Sequence, residues 1–150
     1  MSTGTAVAVV VASIAGLAGA VQAAVMGELG TRVGIVSAVA FSTLVSVVLG
    51  LAVLLAAERS VGGVVDVVRE PVWLWTGGAL SLLIIFAITV GPPRIGTTAT
   101  IGIVVAGNLV MGAVIDRYGL FGLERIALTW PRMLGIALLA AGAALTLYRS

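Results

Sequence analysis

The chain has 150 residues, of which 61% are hydrophobic and 9% charged, with a formal net charge of +2. A soluble domain carries about 45–50% apolar and roughly 25% charged residues, so a water-soluble fold of this length could not hide such an apolar excess. The absence of Cys and His excludes disulfides, thiol catalysis, haem with His or Cys ligation and ordinary zinc sites. The basic residues are scattered arginines, so no nucleic-acid partner is expected.

Five apolar segments are long enough to cross the hydrocarbon core of a bilayer, which takes about 20 residues of helix. They predict an all-α integral membrane protein, a five transmembrane helix bundle forming a single domain over residues 1–150. Its environment would be the lipid bilayer of the inner or plasma membrane. The predicted spans are residues 4–27, 33–57, 72–90, 97–115 and 131–148.

Polar side chains inside the first two spans are candidates for function, because polar groups in a bilayer cost energy unless they are paired. Gln22, on the first span, could contact a polar solute or hydrogen-bond a neighbouring helix. Ser42 and Ser46 lie one turn apart on the second span. They could line a pore, or their hydroxyls could bond back to their own backbone carbonyls.

The acid nearest to a span is Glu28, at the end of the first helix, which makes it the candidate coupling acid of a proton-coupled exporter. It lies about 12 residues, or about 18 Å, from the helix centre. The alternative is an interfacial residue paired with Arg32, four positions later. Residues 28–32 are predicted to form a tight turn before the second span.

The third span is preceded by a connection, residues 58–70, that could be a loop or a short surface helix. Trp73 and Trp75 stand where an aromatic belt anchors a helix at the membrane surface; Trp75 could instead cap a cavity or offer a cation–π face. Residues 91–94 contain two prolines and cannot continue a regular helix. Asn108, near the middle of the fourth span, allows the same two interpretations as the glutamine of the first.

The fourth span is predicted to close with an end pair of Asp116 and Arg117, followed by the longest polar stretch, residues 116–130. Thr129 could cap the fifth helix, and Pro131 would lie in its first turn. Small residues spaced by four predict close helix packing. They are Ala12, Gly16 and Ala20 on the first span and Gly102 and Ala106 on the fourth.

Arginine placement indicates how the chain is oriented in the membrane. If the five spans alternate, one face carries five arginines and the other three. This bias weakly favours a cytoplasmic N-terminus and also permits insertion in both orientations. The first face holds Arg59, Arg69, Arg117, Arg125 and Arg132, and the second holds Arg32, Arg94 and Arg149.

Short motifs follow one another along nearly the whole chain. They are Gln22 followed by Leu29-Gly30, Pro71-Val72-Trp73-Leu74-Trp75-Thr76-Gly77-Gly78, Pro93-Arg94-Ile95-Gly96, Val105-Ala106-Gly107-Asn108, Asp116-Arg117-Tyr118-Gly119-Leu120-Phe121-Gly122-Leu123, and Leu128-Thr129 with Arg132 and Gly135. In this order they resemble the YdcZ-type family, a five-helix branch of the drug/metabolite transporter superfamily. The most specific piece is similar to its D-x-x-G-L-F-G-L. Met26 stands where the family usually has Asn, and Asn108 where it usually has Gln.

The resemblance implies export of a small solute or metabolite by alternating access. No cofactor is expected. Gln22, Asn108 and the second-span hydroxyls would line a central cavity among the first four helices. An odd number of spans cannot contain its own inverted copy, and transporters commonly bind substrate between inverted repeats. The working unit is therefore expected to be an antiparallel dimer, either a dual-topology homodimer or a heterodimer with a paired homologue.

Two other function classes remain open on the residues alone. One is a small dimeric channel, which would pass ions without coupling, and the other is a non-transporting accessory membrane subunit. An enzyme is not expected, because the chain has no G-x-S-x-G, P-loop or metal-ligand motif.

Overall fold

The structure, a computed structural model, describes residues 3–147. Within that range it is all-helical and contains no β-strand. The described residues form two compact units: one is Val25–Val90, and the other consists of residues 3–24 and 91–147. The α-helices are α1 (Thr3–Val33), α2 (Ile35–Glu58), α3 (Gly62–Val67), α4 (Thr76–Val90), α5 (Pro92–Ile95), α6 (Thr97–Tyr118) and α7 (Trp130–Leu145), with 3₁₀ turns at Val72–Trp75 and Leu120–Gly122.

Among the described residues, four helical segments are long and apolar enough to cross a membrane: Thr3–Val33, Ile35–Glu58, Val72–Ile95 and Thr97–Tyr118. Few of their residues are buried within the chain, so their apolar side chains require the surroundings that lipid provides. Helix α7 is apolar too, but its 16 residues cover only about 24 Å of a hydrocarbon core about 30 Å thick. A fifth crossing therefore stays a prediction; Tyr148, at its expected end, lies outside the described residues.

Helix α1 is longer than predicted, because it continues through residues 28–32 and ends at Val33. The break comes at Gly34, whose φ of 88° is accessible to glycine without strain. The predicted turn was wrong because it rested on polarity, and polar side chains on a helix surface do not end a helix. Here they support it: the Arg32 Nε donates to the Glu28 Oε1 at 2.7 Å, four positions earlier.

In the unit Val25–Val90, α2 packs against α4, and a close approach holds the end of α1 beside α4. A Cβ added to Gly30 would come within 2.7 Å of the Thr89 methyl group, so a side chain here would force Thr89 to move. Thr89 is buried, and its hydroxyl donates to the Ile85 carbonyl at 2.7 Å. This bond satisfies the hydroxyl and leaves the methyl group to pack against the glycine.

The connection between α2 and α4 contains the short helix α3, which agrees with one of the two predicted alternatives. Arg59 caps α2 in the left-handed region, at φ 53°. The chain then forms the 3₁₀ turn Val72–Trp75, which leads directly into α4.

In the other unit, α6 packs against α7, and small residues set their separation. A Cβ on Gly102 would lie 3.3 Å from the Cβ of Ala143, which fits the predicted close packing at this position. Ahead of α6, α4 ends at Val90, next to the two prolines as expected, and the single turn α5 follows over Pro92–Ile95. Gly96, which has a φ of 86°, separates α5 from α6. The new helix α6 begins immediately afterwards.

Candidate functional site

A groove with a volume of about 310 Å³ runs between α6 and α7. This lies at the lower end of the range for small-molecule sites. Its walls are largely apolar, and its polar or charged side chains are Asn108, Asp116 and Arg132. It is lined by Asn108, Leu109, Gly112, Ala113, Asp116, Leu128, Arg132, Gly135, Ile136 and Leu139.

Asn108, Gly112 and Asp116 form the α6 side of this groove, spaced by four residues along one helical stripe. Eight residues of helix separate the amide from the carboxylate, a rise of about 12 Å. Gly112 and, on α7, Gly135 keep the groove open: a Cβ at either position would meet no atom within 4 Å. The groove thus has a mid-helix amide toward one end and a carboxylate at the other.

The charged end of the groove is an ion pair between the two helices. Arg132 Nη2 lies 3.3 Å from Asp116 Oδ2, and their side chains are 47% and 30% exposed. The predicted end pair of Asp116 with Arg117 was wrong. The fold after α6 brings Arg132 back to the carboxylate, and an exposed neighbour in sequence is not its partner in space.

The motif with the most specific spacing, residues 116–123, builds this end of the groove. Gly119 ends α6 in the left-handed region at φ 64°, and its N–H donates to the Ile115 carbonyl at 2.8 Å. Phe121 and Gly122 also have positive φ, 60° and 80°. These turns reverse the chain, so that the Ile126 N–H donates to the Asp116 carbonyl at 2.8 Å. The motif therefore fixes the position of Asp116 and turns the chain back toward the start of α7.

Helix α7 begins as predicted, with a proline in its first turn and Thr129 in the N-cap position. The Thr129 side chain forms no capping hydrogen bond; its carbonyl instead accepts from the N–H of Arg132 at 3.0 Å. Arg132 thus lies in the first turn of α7, where its long side chain reaches Asp116 on the neighbouring helix.

The predicted binding residues are not all brought together. Asn108 lines the α6–α7 groove. The predicted cavity was enclosed by the first four spans, whereas one wall of this groove is α7, the predicted fifth span. Gln22 is exposed on α1 and is not among the groove residues. The Ser46 hydroxyl donates to the Ser42 backbone carbonyl at 3.0 Å, which agrees with the alternative that these hydroxyls bond back to their own helix. Ser42 is itself half-buried on α2.

Glu28 and Trp75 both have local partners in the unit Val25–Val90. Glu28 forms the predicted pair with Arg32, and both side chains are more than half exposed. The Trp75 indole N–H donates to the Val67 carbonyl at 3.2 Å, which ties the 3₁₀ turn to the end of α3. A role for either side chain in coupling or binding stays a prediction.

Sequence reasoning missed Asp116 and Arg132 as groove residues. The available signal was the stripe Asn108–Gly112–Asp116, which puts the acid on the same face as the amide. Nothing in the sequence identified the arginine as its partner, because that pairing depends on how residues 119–129 turn. No group of three or more Asp, Glu, His or Cys residues that could hold a metal ion occurs within residues 3–147.

The order of the motifs and the membrane-length helices agree with a known family. The profile of a family described as "Putative inner membrane exporter, YdcZ" matches residues 7–145. The chain belongs to the YdcZ family. The match includes both helices of the groove, and the family description concerns an inner-membrane exporter, not an enzyme. No curated protein and no solved structure matches this YdcZ-family chain significantly.

Proposed function

We propose that this chain is one protomer of an inner-membrane exporter that moves a small solute by alternating access, and that the solute passes along the α6–α7 groove. The observation that carries this proposal is the groove itself: a partly polar cleft of about 310 Å³ between α6, a helix of membrane length, and the shorter apolar helix α7. What supports a binding role is the combination of an amide, a carboxylate and a guanidinium in one otherwise apolar groove. Membership of the YdcZ family supports the direction of transport.

The working unit we propose is an antiparallel dimer in which each chain crosses the membrane five times and α7 makes the fifth crossing. The small arginine bias supports insertion in both orientations, with the N-terminus only weakly favoured on the cytoplasmic side. Two inverted copies would provide the symmetry that alternating access commonly uses. Gln22, Ser42 and Ser46 remain candidates for solute contact within such a dimer.

Filling the groove tests the exporter proposal even while the solute is unidentified. In Gly112→Leu, the new side chain would occupy the groove, and its Cβ would meet no protein atom within 4 Å. Cells expressing the natural chain or the variant would be compared by untargeted mass spectrometry of medium and cell extract. At least one small solute should accumulate in the medium with the natural chain and not with Gly112→Leu.

The matched control is Gly78→Leu on α4, where an added Cβ also meets no atom within 4 Å. It adds the same side chain outside the groove, and it should export like the natural chain at equal membrane abundance. Identical media from all three strains, with all three proteins in the membrane, would contradict the exporter proposal. Loss of export in both variants would contradict the assignment of the route to this groove.

A further inference from the structure

The α6–α7 groove separates its polar groups in a way that restricts what it can hold. Its charged end is the Asp116–Arg132 pair, and the amide of Asn108 lies about 12 Å away along α6. The intervening wall is apolar, formed by side chains such as Leu109, Ile136 and Leu139. A solute matching this pattern would have a charged head and an apolar body.

The ion pair retains capacity to bind a second partner. Its separation of 3.3 Å exceeds the 2.7–2.9 Å typical of a charge-assisted hydrogen bond. A guanidinium carries five N–H donors and a carboxylate can accept about four bonds, so one mutual contact leaves most of both unused. Both side chains are also partly exposed, at 30% for Asp116 and 47% for Arg132.

The opposite charges of Asp116 and Arg132 cancel, so the pair as a whole is neutral. This neutrality determines which charged head group of a solute binds best. A lone cation near the pair gains attraction from Asp116 but meets repulsion from Arg132, and a lone anion meets the reverse. A zwitterionic head can place its ammonium against the carboxylate and its carboxylate against the guanidinium, so both terms are favourable. Because both side chains of the pair are partly exposed, a zwitterionic head can reach the carboxylate and the guanidinium together.

We propose that the Asp116–Arg132 end of the α6–α7 groove binds the zwitterionic head of a small amphoteric solute whose apolar body lies along the groove toward Asn108. This inference rests on the proposed exporter function and names its substrate class. Asp116 binds the ammonium group and Arg132 binds the carboxylate group. The length of the apolar wall limits the body to about 12 Å.

A matched set of probes tests the requirement for both charges. Leucine carries the zwitterionic head, isopentylamine lacks its carboxylate, 4-methylpentanoate lacks its ammonium, and isopentanol has neither charge. Each would be added to the detergent-purified protein at neutral pH, and the shift in melting temperature would give the apparent affinity, because ligands that bind the folded state raise it. Leucine should stabilise the natural chain, and the other three should bind roughly ten- to hundredfold more weakly.

Single substitutions at the pair should reverse the preference for the head. In Asp116→Asn the unpaired Arg132 should favour 4-methylpentanoate over leucine, and in Arg132→Gln the unpaired Asp116 should favour isopentylamine. If either single variant does not fold, the exchange of Asp116→Arg with Arg132→Asp keeps a neutral pair and should still prefer leucine. A pair that merely joins the helices would change the melting temperature equally with and without probes, and would show no such reversal.

The failures of the two proposals can be told apart. If leucine stabilises no better than isopentanol while Gly112→Leu still abolishes export in cells, the zwitterion assignment is wrong and the exporter proposal stands. If Gly112→Leu leaves export unchanged but leucine binding shows the expected charge preference, the groove is a zwitterion site outside the export route. Equal stabilisation by all four probes would also overturn the assignment.

Discussion

At the scale of single residues, glycines decide where this chain turns and how closely its helices approach. Gly34, Gly96 and Gly119 each have a φ between 64° and 88°, a region that other residues enter only with strain. Gly34 separates α1 from α2, and Gly119 ends α6 and begins the turn that delivers Arg132 to Asp116. At Gly30 the requirement is space, because the Thr89 methyl group occupies the position of a side chain.

Replacing Gly119 with alanine should destabilise the protein by about 1–3 kcal/mol, the usual cost of a residue held in a sparsely populated backbone region. An alanine there would keep φ at 64° and place its Cβ 2.7 Å from Arg125 Cγ and 3.0 Å from the Leu123 carbonyl oxygen. Thermal unfolding in detergent measures the effect. Gly78→Ala, in an open position on α4, serves as the control and should not lower the melting temperature. Equal melting temperatures for the two variants would rule out strain at Gly119.

Gly30→Ala should also lower the melting temperature, and Thr89→Ser should restore most of the loss. The new Cβ would come 2.7 Å from Thr89 Cγ2. Serine lacks that methyl group but keeps the hydroxyl that donates to Ile85. A double-mutant cycle from thermal unfolding would measure the coupling, expected at roughly 0.5–3 kcal/mol for residues in contact. Additive effects of the two substitutions would show that the clash with Thr89 is not the cause.

At the scale of elements, the helix pair α6 and α7 combines close packing at one level with an open groove at another. Gly102 lets the backbones approach at Ala143, whereas Gly112 and Gly135 face open space. Small residues therefore have two different effects on the same pair of helices. The spacing of small residues predicts close packing in general. Only the position of the neighbouring helix shows which glycine packs against a partner residue and which borders an open groove.

Gly102→Leu should push α6 away from α7 and lower the free energy of unfolding by about 1–3 kcal/mol, the usual cost of overpacking. The reason is that even its Cβ would lie 3.3 Å from the Cβ and 3.4 Å from the Cα of Ala143. Gly107→Leu provides a control on the same helix, since an added Cβ there meets no atom within 4 Å. Thermal unfolding of both variants checks the difference. A melting temperature for Gly102→Leu at or above that of Gly107→Leu would contradict the close approach.

At the scale of the whole molecule, most of the large apolar side chains within residues 3–147 are exposed on the isolated chain. The exposed set runs the length of the long helices, so it is far larger than the patch of a few hundred Å² that a soluble monomer tolerates. Lipid and, in our proposal, a second copy of the chain would cover it. The chain alone has a small core, which makes its stability dependent on that environment.

Labelling of single cysteines should reveal both orientations of the protein in the membrane. The natural chain has no cysteine, so Thr31→Cys and Ser60→Cys each provide one site without background. The two positions lie near opposite ends of α2 and would face opposite sides of the membrane. In a dual-topology homodimer, a membrane-impermeant maleimide added to intact cells should label about half of each variant. Full labelling of one variant and none of the other would contradict a dual-topology homodimer.

The sequence by itself determined that this is a helical membrane protein. Its composition and the length of its apolar runs show that the side chains suit lipid and not water, whatever the details of the fold. It also determined the family, through the order of short motifs, and the break near the two prolines, through their missing N–H donors. The structure corrected the end of α1, which continues past Glu28 to Val33. Only the tertiary structure decided that Asp116 pairs with Arg132 and that α7 forms a groove beside Asn108. The spacing of Asn108 and Asp116 along α6 can be read from the sequence, but the position of Arg132 depends on how residues 119–129 turn and on where α7 then lies.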